Sequence, residues 1–266
     1  LIIQPSCSVL NIFSTSSMCL NIRRAFKLVF YCQFGHYTTT RCRSVQIFMD
    51  RYTRHIPPPC EEEIKILHSD DHILIVSKPA GLLSVPGRII KDSVLQRVRF
   101  SFPEAVIVHR LDLDTSGLLV LALSQHAVRE LNRFFRERSI VKEYTAEVYG
   151  VIEHDMGVIA LPIAADWERR PRQRIDRLVG KASSTRFYVQ ARFSNSTRLL
   201  LKPETGRSHQ LRIHLANVGH PILGCDLYAH EKAFAASERL LLHARYLAFK
   251  HPFTGEDLVY EDDIAF

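Results

Sequence analysis

The sequence lacks the features that would take it out of the class of ordinary globular proteins. Its 266 residues hold only 11 Gly and 12 Pro, with no periodic spacing, which excludes a collagen-like or low-complexity chain. No apolar run approaches the roughly 20 residues that a membrane-spanning helix requires. The six cysteines, Cys7, Cys19, Cys32, Cys42, Cys60 and Cys225, include no CxxC pair, and four of them fall in the first 42 residues. Neither a zinc ribbon nor a secreted disulfide scaffold is indicated, and a reducing, cytoplasmic compartment is expected. No internal repeat and no HExxH frame occur.

Acidic side chains are missing from residues 1–48, which carry Arg23, Arg24, Lys27, Arg41 and Arg43. Of the 35 basic residues, five therefore lie in this leader, leaving 30 against 28 acidic ones in the remainder. The body is nearly neutral, so any nucleic-acid site must come from local clustering of cations and not from the overall charge of +7. The leader reads as a non-native upstream segment or an organelle-targeting one, expected to be disordered. Residues 49–63, with Pro57 to Pro59, read as a linker, and 64–266 as one domain.

From Ile64 onward strands and helices mix. Ile64 and Ile66, then Ile73, Ile75 and Val76, flank a polar turn and suggest a hairpin. Ala105 to Val108 and Gly117 to Leu123 read as buried strands. Ser124 suits the N-cap of a helix to about Arg138. Val141 to Tyr149 alternates like a strand, 185–193 and 197–202 form a second hairpin, Ser208 opens a helix ending near Gly219, and 247–260 forms a third hairpin. Hairpins among helices without a strand–helix repeat predict an α+β domain with a mixed, mainly antiparallel sheet.

Two polar segments interrupt this apolar pattern. His109-Arg110-Leu111-Asp112-Leu113-Asp114-Thr115-Ser116 sits between two buried strands, where charges need pairing or solvent. Lys202, Gly206, Arg207 and Arg212 surround a predicted helix start, a combination suited to an anionic phosphate; the alternative is a capped amphipathic helix with solvated cations. His209, His214 and His220 raise a metal-dependent hydrolase as a rival, but His209 and His214 are five apart, not the four of a zinc-binding helix.

The first segment, His109-Arg110-Leu111-Asp112-x-x-Thr115-Ser116-Gly117, resembles the motif around the invariant aspartate of the RluA family of RNA pseudouridine synthases. Lys78-Pro79-x-Gly81-Leu82, Lys142-x-Tyr144, Gly206-Arg207-x-His209-Gln210-x-Arg212-x-His214 and Gly219-His220-Pro221-Ile222-x-Gly224 resemble further family motifs. One departure is Cys225, inserted where the family passes from Gly directly to Asp. The likeness runs from about Ile64 to Phe266 and is greatest to the short branch without an S4 domain, whose members act on large-subunit rRNA and a tRNA anticodon stem-loop. The insert from Leu161 to Gln173 matches that branch.

The resemblance implies the pseudouridine synthase fold and an isomerisation in which uracil is detached from C1′ and rejoined through C5. It implies no cofactor and no metal, an RNA partner, no obligate protein partner, and a monomer. Asp112, Tyr144 and Arg212 would be the catalytic set, with Arg212 pairing bidentately to Asp112 so that burial does not protonate it. Tyr144 would stack on uracil or take the C5 proton. Arg110 would fill the space a flipped base vacates. His109, Thr115, Lys202, Arg207 and Gln210 would contact RNA, and the Arg-rich insert, more than the basic helix face of Arg129, Arg133, Arg136 and Arg138, would track phosphates. A non-catalytic RNA-binding protein would keep these cations and lose the acid.

Asp114 lies at a variable position of the motif. Asp112→Ala or Asp112→Asn is therefore expected to abolish pseudouridine formation while Asp114→Ala keeps most of it, as read by mapping modified uridines in RNA treated with each purified variant.

Overall fold

A computed structural model describes residues 59–263 and 266; the leader, and the linker as far as residue 58, lie outside the described residues. The chain begins with a hairpin, β1 (Lys65–Ser69) and β2 (Ile73–Lys78). Its turn is closed by Asp70, whose Oδ1 accepts the N–H groups of His72 and Ile73 at 2.7 and 2.8 Å. After α1 (Val94–Val98) come β3 (Val106–Ile107) and β4 (Ser116–Ala122). The expected strand at 105–108 is thus a two-residue piece. β4 is buried along its whole length, which is why its sequence is a continuous apolar run.

Helix α2 (Gln125–Glu137) is capped as expected, with the Ser124 hydroxyl accepting the Ala127 N–H at 3.1 Å. It lays Ala127 and Leu131 on the sheet; truncating Leu131 to Ala would cost about 2–5 kcal/mol. Next come β5 (Val141–Tyr149), β6 (Met156–Ile159), β7 (Ile163–Ala165), β8 (Gln173–Ile175), β9 (Thr185–Arg192) and β10 (Ser196–Pro203). Then follow α3 (Gln210–Asn217), α4 (Glu231–Ala235), β11 (Leu242–Lys250) and β12 (Asp257–Glu261). Helix α3 starts two residues later than Ser208 predicted. Its N-cap is His209, in the left-handed region at φ +54° and without a side-chain cap, and Gln210 through Leu215 are all buried. The alternative of an amphipathic helix with solvated cations does not hold, since this stretch is buried on every face and only the last turn reaches solvent.

Among the described residues the main sheet has ten strands in the order β1-β2-β4-β11-β5-β10-β9-β6, with β3 also on β4 and β12 on β11; β7 and β8 form a separate two-stranded sheet. Every ladder is antiparallel except β4 with β11. The predicted α+β architecture is what the chain adopts. Alternate residues of β2 and β4 feed opposite faces: Ile73, Ile75, Leu118 and Val120 join α2, whereas Leu74, Val76, Leu119 and Leu121 join α1. A third cluster lies beneath α3.

One row of paired residues crosses five strands: Lys78, Gly117, Ala244, Tyr144 and Leu201. Glycine is needed in that row. Gly117 has φ +108°, and a Cβ there would lie 2.3 Å from the Ala244 carbonyl oxygen. Gly117→Ala is expected to break the parallel β4–β11 contact, seen as insoluble protein or a thermal midpoint lowered by several degrees; a midpoint equal to wild type would contradict it.

Candidate active site

Asp112 sits on the loop that leaves β3 and enters β4, and the segment after β2 holds the backbone on either side of it. Ser84 Oγ donates to the Leu111 carbonyl at 2.8 Å and accepts the Leu111 N–H at 3.1 Å. The Gly81 N–H and Lys78 Nζ both donate to the Leu113 carbonyl, at 3.0 and 2.8 Å. Lys78 is fully buried and also donates to the carbonyls of Pro79 and Leu82. Burial pulls its pKa down to about 7, opposed by the charge of Asp114. Asp112 is therefore presented by a loop with little freedom to move.

The Asp112 side chain keeps 27% of its exposure and faces the buried guanidinium of Arg212, with Nη1 3.8 Å from Oδ2. The expected bidentate pair does not form. Arg212 Nη2 bonds Asp226 at 2.5 Å, and both Nε and Nη2 lie 3.4 Å from Cys225 Sγ, so these competitors take the fork and leave one edge for Asp112. The Tyr228 ring lies 5.6 Å from the guanidinium carbon. Burial works against the charge of Arg212, but Cys225, Asp112 and Asp226 outweigh it, and its pKa is raised. At an effective dielectric near 20, a charge pair at this separation is worth about 4 kcal/mol, enough to hold the carboxylate against the cation without a hydrogen bond.

His209 faces the other Asp112 oxygen, with Nε2 4.0 Å from Oδ1, and its Nδ1 is 2.8 Å from the Tyr228 hydroxyl. Burial lowers its pKa despite Asp112, leaving the ring neutral near pH 7. The contact joins residues 97 apart in sequence, so no local spacing signals it.

Tyr144 lies in the cross-sheet row and packs where two of the core clusters meet. Burial, then the charge of Asp112, raises its pKa well above the ordinary phenol range, so it stays protonated and is a poor base. Asp114 is raised too, by burial first and then by Asp226. Arg110 is exposed beside this cluster. Thr115 is buried, its N–H donating to the Asp112 carbonyl at 3.2 Å and its hydroxyl unpartnered among the described residues.

The remaining predicted RNA contacts go to separate places. Gln210 ties off its own loop, with Oε1 accepting from Thr205 Oγ1 and the Arg207 N–H, and Nε2 donating to the Ser184 carbonyl and Thr185 Oγ1. Lys202 pairs with Glu143 at 2.6 Å. His109 Nε2 accepts the Val120 N–H at 3.1 Å, with its ring against Phe135. Only Arg207 of this group is exposed. Lys202, Arg207 and Arg212 thus do not converge on one phosphate site. The three histidines of the metal reading also diverge: His214 bonds Thr185 and the Leu161 carbonyl, and His220 the Tyr149 carbonyl. Arg133 is taken up by Glu130 and Glu137.

In the insert, Arg169 pairs with Asp166 and Arg174 with Asp176. Arg170 stacks 3.8 Å over the exposed ring of Trp167, and Arg172 lies 5.4 Å over that of Tyr228, so the hairpin adjoins the site.

A mainly antiparallel sheet presenting an aspartate loop against a buried arginine and a tyrosine defines the class. Residues 72–217 match the family described as RNA pseudouridylate synthase. The chain belongs to that family, and it is an RNA pseudouridine synthase, an isomerase. It is 50% identical over 206 residues to the dual-specificity RNA pseudouridine synthase RluA of Haemophilus influenzae, covering 76% of this chain and 94% of the relative. It is 47% identical over 207 residues to the RluA of Escherichia coli, covering 77% and 94%. Among solved structures, human RNA pseudouridylate synthase domain containing 1 superposes with a TM-score of 0.67 at 29% identity, covering 78% of this chain and 86% of that one.

Burial pushes the pKa of His109 down to about 3, so the native ring stays neutral while an unfolded one protonates near pH 6.5. Unfolding then takes up a proton in that window, and stability is lost as pH falls from about 6.5 toward 3. His109→Gln, which keeps an acceptor for Val120, is expected to reduce the pH dependence of unfolding free energy between pH 6 and 5 by about 1 kcal/mol per pH unit, measured by urea denaturation. An unchanged slope would contradict it.

Proposed function

We propose that the enzyme shares the dual specificity of its RluA relatives and isomerises particular uridines in both large-subunit rRNA and a tRNA anticodon stem-loop. The observation that carries the chemistry is the state of Asp112. Its carboxylate has no hydrogen-bond donor within reach among the described residues, yet lies 3.8 Å from a buried guanidinium. Such an oxygen is unencumbered and lies beside a cation, the condition for attacking the nucleoside or stabilising positive charge as the bond from C1′ to N1 breaks.

The target uridine must leave its stack for the loop at the head of β4, and the exposure of Arg110 supports the reading that it fills the gap. Tyr144, half-buried and held protonated, offers uracil an aromatic face instead of a base. The detached uracil turns and re-forms its bond through C5, the C5 proton leaves and N1 is protonated, so no atom is gained or lost overall. The stacked Trp167–Arg170 pair and Arg172 in the insert, with Arg207, supply an edge for the RNA backbone. On this reading the enzyme works on RNA as a monomer in the cytoplasm.

The test is to incubate purified protein with 23S-type rRNA and tRNA transcripts separately and map pseudouridine in each; modification of one class alone would refute dual specificity. Arg212→Lys is expected to lower turnover by about a hundredfold or more, because one ammonium cannot serve Asp112, Asp226 and Cys225 together. Turnover near wild type would contradict the role given to the guanidinium.

A further inference from the structure

Arg212 attends to one oxygen of Asp112 and the opposite one faces a different group. Arg212 Nη1 lies 3.8 Å from Oδ2, while Oδ1 is faced by His209 Nε2 at 4.0 Å. His209 heads a chain of hydrogen bonds: the Gln173 N–H donates to the Tyr228 hydroxyl oxygen at 2.7 Å, and that hydroxyl is 2.8 Å from His209 Nδ1. With its oxygen accepting from Gln173, the Tyr228 hydroxyl has its own hydrogen to give to Nδ1, and that direction is taken for the bond below. A neutral imidazole with an accepting Nδ1 carries its proton on Nε2. The backbone of His209, at φ +54°, turns the residue out of the path of α3 and toward the loop.

We infer that His209 is a positioning residue of the active site: it presents Nε2–H to Oδ1 of Asp112, and Tyr228 together with the β8 backbone sets the ring that does so. The inference rests on the reading of Asp112 given above. At 4.0 Å the contact is a dipole facing a charge and not a hydrogen bond, so it turns the carboxylate inward while leaving Oδ1 free for the nucleoside. Since Gln173 belongs to the Arg-rich hairpin, a chain of hydrogen bonds runs from the surface proposed to meet RNA to His209, and the last step from His209 to the carboxylate is electrostatic.

The experiment measures kcat and KM on a tRNA stem-loop for His209→Ala, His209→Gln and Tyr228→Phe, with thermal midpoints recorded for each. For His209→Ala, kcat is expected to fall about 10–100-fold with KM changed less than about twofold. His209→Gln, which returns an N–H near the Nε2 position, restores most of the loss, and Tyr228→Phe, which frees the ring to change tautomer, falls between. Wild-type kcat in His209→Ala overturns the inference, as do equal losses in the Ala and Gln variants, the signature of a purely structural role. If His209→Ala does not fold, an unchanged kcat in Tyr228→Phe overturns it instead. Asp112→Asn is run alongside: residual full activity there removes the reading of Asp112 and this inference together, whereas an inactive Asp112→Asn beside a fully active His209→Ala removes the inference alone.

Discussion

The site depends on setting a carboxylate against a cation in a place partly closed to water, and that cation, Arg212, is itself almost entirely buried. Removing a guanidinium from water costs several kcal/mol, more than a single ion pair at 3.8 Å returns. The surrounding groups close the difference: Asp226 takes a direct hydrogen bond, Cys225 sulfur lies against two nitrogens, and the Tyr228 ring covers one face. Asp226 remains half exposed, so its own desolvation is small. Arg212 lies in the buried stretch of its helix, Gln210 through Leu215, so the cation is covered by its own neighbours as well.

The sheet supplies the other half of this arrangement. The row from Lys78 through Gly117 and Ala244 to Tyr144 sets the lysine that holds the aspartate loop and the tyrosine that would meet the base at one level of neighbouring strands. Gly117 permits the closest approach in that row, and the loop bearing Asp112 leads directly into it. Displacing one member of the row would displace the loop and the aromatic face together.

Much of this was legible beforehand because it rests on local rules. β4 and β5 were readable as an apolar run and an alternating strand, α2 from its Ser124 cap and apolar face, and the aspartate loop from charges set between two buried segments. Short elements such as α1, α4 and β6 were missed, since four or five residues carry no resolvable period. The bidentate Arg212–Asp112 pair failed for a tertiary reason: the competing Asp226 lies 14 residues away in sequence, and only folding brings it to the guanidinium. Lys202 suits an anion and Gln210 belongs to the motif that resembles the family's, but in the fold each side chain has an internal partner.

The β7–β8 hairpin is a small sheet of its own that meets the body at α3 and at the Tyr228 phenol, and among the described residues no ladder of the main sheet passes through it. Its outward side chains can be exchanged without altering the register of any core strand. The architecture thereby separates a part under strict geometric tolerance from an appendage free to diversify, a division along which descendants of one fold can acquire new targets while inheriting the same chemistry.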